Sequence, residues 1–143
     1  RQAVSDEKPR SDPKVTYPIV EWDQVDSLLL ASGQSASVGL VIYRSNTIPQ
    51  LTNRIVFGDM PSGEVFHVSA DTLPNGGQDA IRRVLFVTAP GTAARPALEI
   101  IREKNRAQGK TVASRADLRF DVTSGGRIFV LNKADGVIRV MER

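Results

Sequence analysis

The sequence predicts an all-β fold: two consecutive four-stranded antiparallel blades of a β-propeller, with one surface helix inserted at about 96–108. Three observations carry this. Short β-rich runs recur between turn residues, a hairpin in the first half returns in the second, and a single segment has helical texture.

Composition sets the frame. The chain has 143 residues, 41% hydrophobic and 24% charged, which is ordinary globular usage and enough to bury a core. Its formal net charge is +3. The two signs are interleaved, without the basic stripe and interspersed aromatics of a nucleic-acid binder, so no nucleic-acid partner is expected. Cysteine is absent, which excludes disulfides and thiolate metal sites. The longest apolar stretch, near 38–43, is far too short for a membrane span. The first fourteen residues have no apolar centre, so they do not read as a signal peptide. The chain opens on Arg1 rather than Met and reads as a processed piece.

Residues 1–14 carry charges and two prolines and read as an arm or linker. The first blade is expected over 15–75, with strands at 18–22, 37–43, 54–58 and 64–69. Turn-forming stretches at 31–36, 46–49 and 61–63 separate them. The second is expected over 76–143, with strands at 82–87, 117–122, 127–133 and 137–141. Asp135-Gly136 tolerates positive φ and suits a tight turn between the last two. In 96–108 (PALEIIREKNRAQ) Leu98 and Ile101 fall on one helical face, with Ala97 and Ile100 beside it. Pro96 suits the first turn and Gly109 the position just past the end.

The two halves repeat. Arg54-Ile55-Val56-Phe57 and a turn ending in Gly63 match Arg127-Ile128-Phe129-Val130 and a turn ending in Gly136, with the same Arg-to-Gly separation. Two blades leave an apolar face bare at each end, because propellers close with four to eight blades. The expected partner is therefore the remaining blades, on another chain or a precursor segment, or further copies of this chain. An eight-stranded sandwich complete in one chain is the alternative all-β reading.

The ordered set of motifs then points to a family. The runs 41–44 (VIYR), 48–51 (IPQL) and 56–66 (VFGDMPSGEVF) resemble the penultimate blade of the glucose/sorbosone dehydrogenase family, the soluble quinoprotein sugar dehydrogenases and their relatives. The runs 117–120 (DLRF), 126–133 (GRIFVLNK) and 135–139 (DGVIR) resemble its closing hairpin. The helix with 99–103 (EIIRE) and 108–110 (QGK) is similar to an insertion in one branch.

The resemblance implies a six-bladed, periplasmic or extracellular propeller that uses pyrroloquinoline quinone (PQQ) and calcium to oxidise sugars. The family's catalytic histidine and calcium ligands lie in earlier blades, so no catalytic or metal residue is expected here. His67, the sole histidine, is expected to be structural. The family's paired cofactor arginines align with Ala116 and Leu118, which leaves Arg115 and Arg119, one step away on either side, as the candidate PQQ-binding residues. The family's lysine at the earlier hairpin appears here as Pro61 or Ser62.

Two functional readings follow. The chain is the C-terminal portion of an exported sugar dehydrogenase-like propeller, walling a cofactor or substrate cavity and not catalytic alone. The alternative is a propeller-derived module that serves as a non-catalytic structural or protein-interaction scaffold.

Other patterns have simpler readings. The scattered aspartates lack calcium-loop spacing. Gly76-Gly77 lacks the helix start and Lys-Ser/Thr of a phosphate loop, and no nucleophile elbow occurs.

Overall fold

The computed structural model describes residues 12–24 and 34–143. Among the described residues seven strands form two antiparallel sheets, accompanied by one α-helix. The first is a meander of β1 (Ser37–Tyr43), β2 (Arg54–Asp59), β3 (Glu64–Ser69) and β4 (Arg82–Val84) in that order. The second is a meander of β5 (Leu118–Val122), β6 (Ile128–Asn132) and β7 (Val137–Met141). Helix α1 (Ala97–Ala107) lies between them in sequence. The expected arm lies mostly outside the described residues.

Two strand assignments need correction. Residues 18–22 form no strand. Ile19, Val20 and Trp22 instead lie across the outer face of the first sheet, packed on Ile55, Phe57, Phe66, Val68 and Ile81. Trp22 stacks on Phe57 with ring centroids 5.7 Å apart. The fourth strand of that sheet is β4, which the sequence reading gave to the second sheet. Its pairing with β3 (Val65 with Val84, His67 with Arg82) is hydrogen-bonded across a long loop, which local texture does not encode. Among the described residues the second sheet therefore has three strands rather than four.

The helix forms where its spacing predicts. Leu98 and Ile101 are buried against Ala116, with Ala113 and Ala134 beside them. Pro96 occupies the N-cap position, one residue before the first turn, without a side-chain capping hydrogen bond, and Gly109 follows the C-cap with φ 64°.

The two sheets face each other over one core. Val41, Tyr43, Val56 and Val65 of the first pack on Leu118, Phe120, Ile128, Val130 and Met141 of the second. Phe120 is the interlocking side chain. Its ring lies over Gly39 and Gly58, and a Cβ on Gly39 would come within 2.8 Å of its Cζ. Gly39 sits in a bulge between Val38 and Leu40 with φ 58°, a conformation glycine adopts without strain. Tyr43 Oη crosses the interface and donates to the Gly126 carbonyl at 2.6 Å.

The sense of this packing is informative. Placing Arg54 on Arg127 lays β2 over 127–132 and β3 over 137–142, so the two central hairpins are repeats in structure as well as in sequence. Side chains alternate across a strand, so pairing partners define faces. On the first sheet Val56 and Val65 face the second sheet, while Ile55, Phe57, Phe66 and Val68 face away. Their counterparts reverse this: Ile128, Val130 and Met141 face the first sheet, while Phe129 and Ile138 face away. Equivalent faces thus point the same way, and the sheets stack head to tail.

Candidate functional site

Two cavities border the shared core. The larger, about 870 Å³, opens between the sheets and is lined by Ile48, Leu51, His67, Phe86, Val140 and Met141, among others. His67 faces it from β3, paired across the ladder with Val56 and Arg82. Burial pushes the His67 pKa below the usual histidine value, and the Arg54 and Arg82 charges push it further the same way. Its Nδ1 is buried and has no hydrogen-bond partner among the described residues. The lowered pKa favours the neutral imidazole, and among the described residues no carboxylate orients its Nδ1 as a general base requires.

The smaller cavity, about 290 Å³, lies between α1 and the inner face of the second sheet. Ile100, Ile101, Leu118, Val130 and Met141 form much of its apolar wall. Two polar residues enter it from the β6–β7 hairpin, Asn132 and Arg139. Asn132 Oδ1 accepts the Ala134 N–H at 2.8 Å, which fixes the amide orientation. Its Nδ2 is buried and donates to nothing among the described residues. Arg139 Nη2 is paired with Asp135 Oδ2; the Asp135 side chain is 0% exposed and that of Arg139 30%. Asp135 Oδ1 accepts from the Val137 N–H, and the Lys104 ammonium donates to the Asp135 carbonyl.

The candidate PQQ residues lie elsewhere. Arg115 contacts Asp117 Oδ1 at 3.2 Å and Gln34 Oε1 at 3.3 Å. Arg119 alternates with the core-facing Leu118 and Phe120, and its Nη1 donates to the Leu118 carbonyl at 2.6 Å. Neither arginine lines either cavity. Pro61 and Ser62 are buried in the β2–β3 turn, where the Ser62 N–H donates to Asp59 Oδ2. Among the described residues no group of three or more His, Asp or Glu is placed to hold a metal.

Sequence reasoning treated Asp135 as a turn residue and passed over Asn132 and Arg139. The signal lay in the repeat. Asn132 occupies the place of Asp59, and Arg139 the place of the fully buried Phe66.

Compared with protein-family models, curated proteins and solved structures, the chain matches none.

Proposed function

We propose that the chain forms two consecutive blades of a larger β-propeller of the quinoprotein sugar dehydrogenase lineage. It walls part of an extracytoplasmic assembly whose PQQ, calcium and catalytic base belong to other blades. The observation that carries the architecture is the head-to-tail stacking of the repeated hairpins. Such heterologous contacts reuse one face against the next and end only when a ring closes. The outward face of the second sheet, with Phe129, Leu131, Ile138 and Val140, is the counterpart of the face on which the first sheet receives the second. On the opposite side, Leu40 and Ile42 stand 71% and 51% exposed, at the places matching Phe120 and Val122. The lineage rests on the ordered motifs alone.

One observation favours the second reading, a propeller that serves as an interaction scaffold without cofactor. Arg115 and Arg119 are engaged by local partners outside both cavities.

The structure of the chain's assembly tests the architecture. A further sheet against Phe129, Leu131, Ile138 and Val140 is expected. A closed pair burying the same face of two copies would overturn it. The lineage is tested on the complete assembly, which should reduce a dye with an aldose when PQQ and calcium are supplied. An assembly inert under those conditions would leave the scaffold reading.

A further inference from the structure

We propose that the smaller cavity, between α1 and the second sheet, is a binding site for a small amphipathic anion, an aliphatic carboxylate of medium chain length. The inference rests on the residues that line the cavity and is independent of the propeller lineage.

The repeat supplies its own control. In the first sheet the hairpin position Asp59 is fully satisfied by protein: its carboxylate accepts from Ser35 Oγ, the Ala36 N–H and the Ser62 N–H. The neighbouring position Phe66 is 0% exposed within an aromatic cluster with Trp22 and Phe57. In the second sheet the same two places hold Asn132 and Arg139, and a cavity stands beside them. An acceptor has become a donor without a partner, and an apolar ring has become a cation. A buried polar atom left unsatisfied costs stability and calls for a partner. Arg139, on a core-facing strand position, is ion-paired with the buried Asp135 carboxylate, so the unmet demand lies with Asn132 Nδ2.

The lining defines what fits. Asn132 Nδ2 and the Arg139 guanidinium are donors only, so the ligand presents an acceptor to them. Asp135 holds Arg139 in place through one nitrogen, which leaves the rest of its planar donor fork for a carboxylate. Behind Arg139, outside the cavity lining, Lys104 donates to the Asp135 carbonyl, so two cations stand against the single Asp135 carboxylate there. Apart from Thr88 the remaining wall is aliphatic and aromatic, with Ile100, Ile101, Leu118, Val130, Met141 and Phe86, and suits a hydrocarbon body. A volume near 290 Å³ sits at the small end of ligand sites and selects a short molecule.

The test is an NMR titration of the full chain with sodium octanoate, with octan-1-ol as the uncharged comparison. Saturable shifts of the Asn132 side-chain amide and the Ile100 and Ile101 methyls are expected at millimolar octanoate or below, with weaker octanol binding. Asn132→Asp puts into this hairpin the residue its repeat already carries as Asp59, and it sets a carboxylate against the ligand. It should weaken octanoate by at least about tenfold, the scale of one charge-assisted hydrogen bond. Arg139→Met keeps an apolar side chain and should bring octanoate and octanol to equal affinity. This second variant stands by itself if the first does not fold. Three results overturn the proposal: no saturable response, as for a cavity that holds only water; equal binding of the two probes by the unaltered chain; or unchanged octanoate affinity in both variants.

Discussion

Single side chains make two separate contributions to stability. His67 is kept neutral by desolvation and by Arg54 and Arg82, so its pKa in the folded chain lies below the unfolded value near 6.5. The unfolded state then binds the proton more readily, and stability rises with pH across this range. It is full above the unfolded value and declines as pH falls through it, until the native imidazole titrates as well. Urea melts of the unaltered chain and of His67→Gln across that window should converge in slope above pH 7 and diverge below it. Parallel pH profiles would show that His67 titrates alike in both states. Phe120 acts by shape. Removing its ring with Phe120→Ala should cost about 3–5 kcal/mol, as for other buried aromatics. Gly39→Ala should cost about 2 kcal/mol, from positive φ and overpacking against that ring. Since the two residues touch, combining Gly39→Ala with Phe120→Ala should cost less than the sum, which denaturant midpoints will read directly.

At the scale of elements, the helix is the clearest success of pattern reading. Leu98 and Ile101 recur at helical spacing, Pro96 and Gly109 bracket them, and α1 buries both. Ile101→Asp places an unpaired charge in that contact and should destabilise the chain by about 3 kcal/mol in a thermal or urea melt. An unchanged midpoint would mean the helix does not depend on its packing. The β2–β3 and β6–β7 hairpins were equally legible, because alternation and turn residues are local. What was not legible depends on distant pairing. The run 18–22 has strand-like composition, yet Trp22 finds Phe57 and Phe66 and works as a cover rather than a strand. The segment at 82–87 read as one strand, but only Arg82–Val84 pairs with β3, and Phe86 bridges to Arg95. The candidate site was missed for a related reason. Asn132 and Arg139 look like ordinary strand and turn polar residues until the register turns them toward the core. Arg115 and Arg119, each one step from the family-aligned Ala116 and Leu118, lie outside both cavities, and Arg119 sits on the face opposite Leu118 and Phe120.

For the whole molecule, the chain with PQQ, calcium and common aldoses should reduce no dye above a blank, because the Nδ1 of its one histidine has no orienting partner among the described residues. Turnover abolished by His67→Ala would reverse that view. Association is the more searching test. The head-to-tail stack leaves Leu131, Ile138 and Val140 exposed at one end, with Ile138 66% exposed, while at the other Ile19, Val20 and Trp22 cover much of the outer face and Leu40 and Ile42 stand exposed beside them. Covering about 400 Å² of apolar surface would contribute about 10 kcal/mol at 25 cal/mol per Å², before the ordering costs of association reduce it. The two ends are different surfaces, so contact joins one end of a copy to the other end of the next, and growth is open unless a ring closes. Light scattering on the purified chain should therefore show mass rising with concentration beyond a dimer, together with binding of a hydrophobic dye. Ile138→Glu and Leu40→Glu alter exposed positions, so each should block growth while leaving the melt of the single chain nearly unchanged. Mixing the two variants is the decisive step. Each retains one intact end, and the two intact ends are complementary, so the mixture should form a heterodimer and stop there. A soluble, dye-negative monomer with a sharp cooperative melt would show instead that the core closes within one chain, and a self-contained sandwich would replace the propeller.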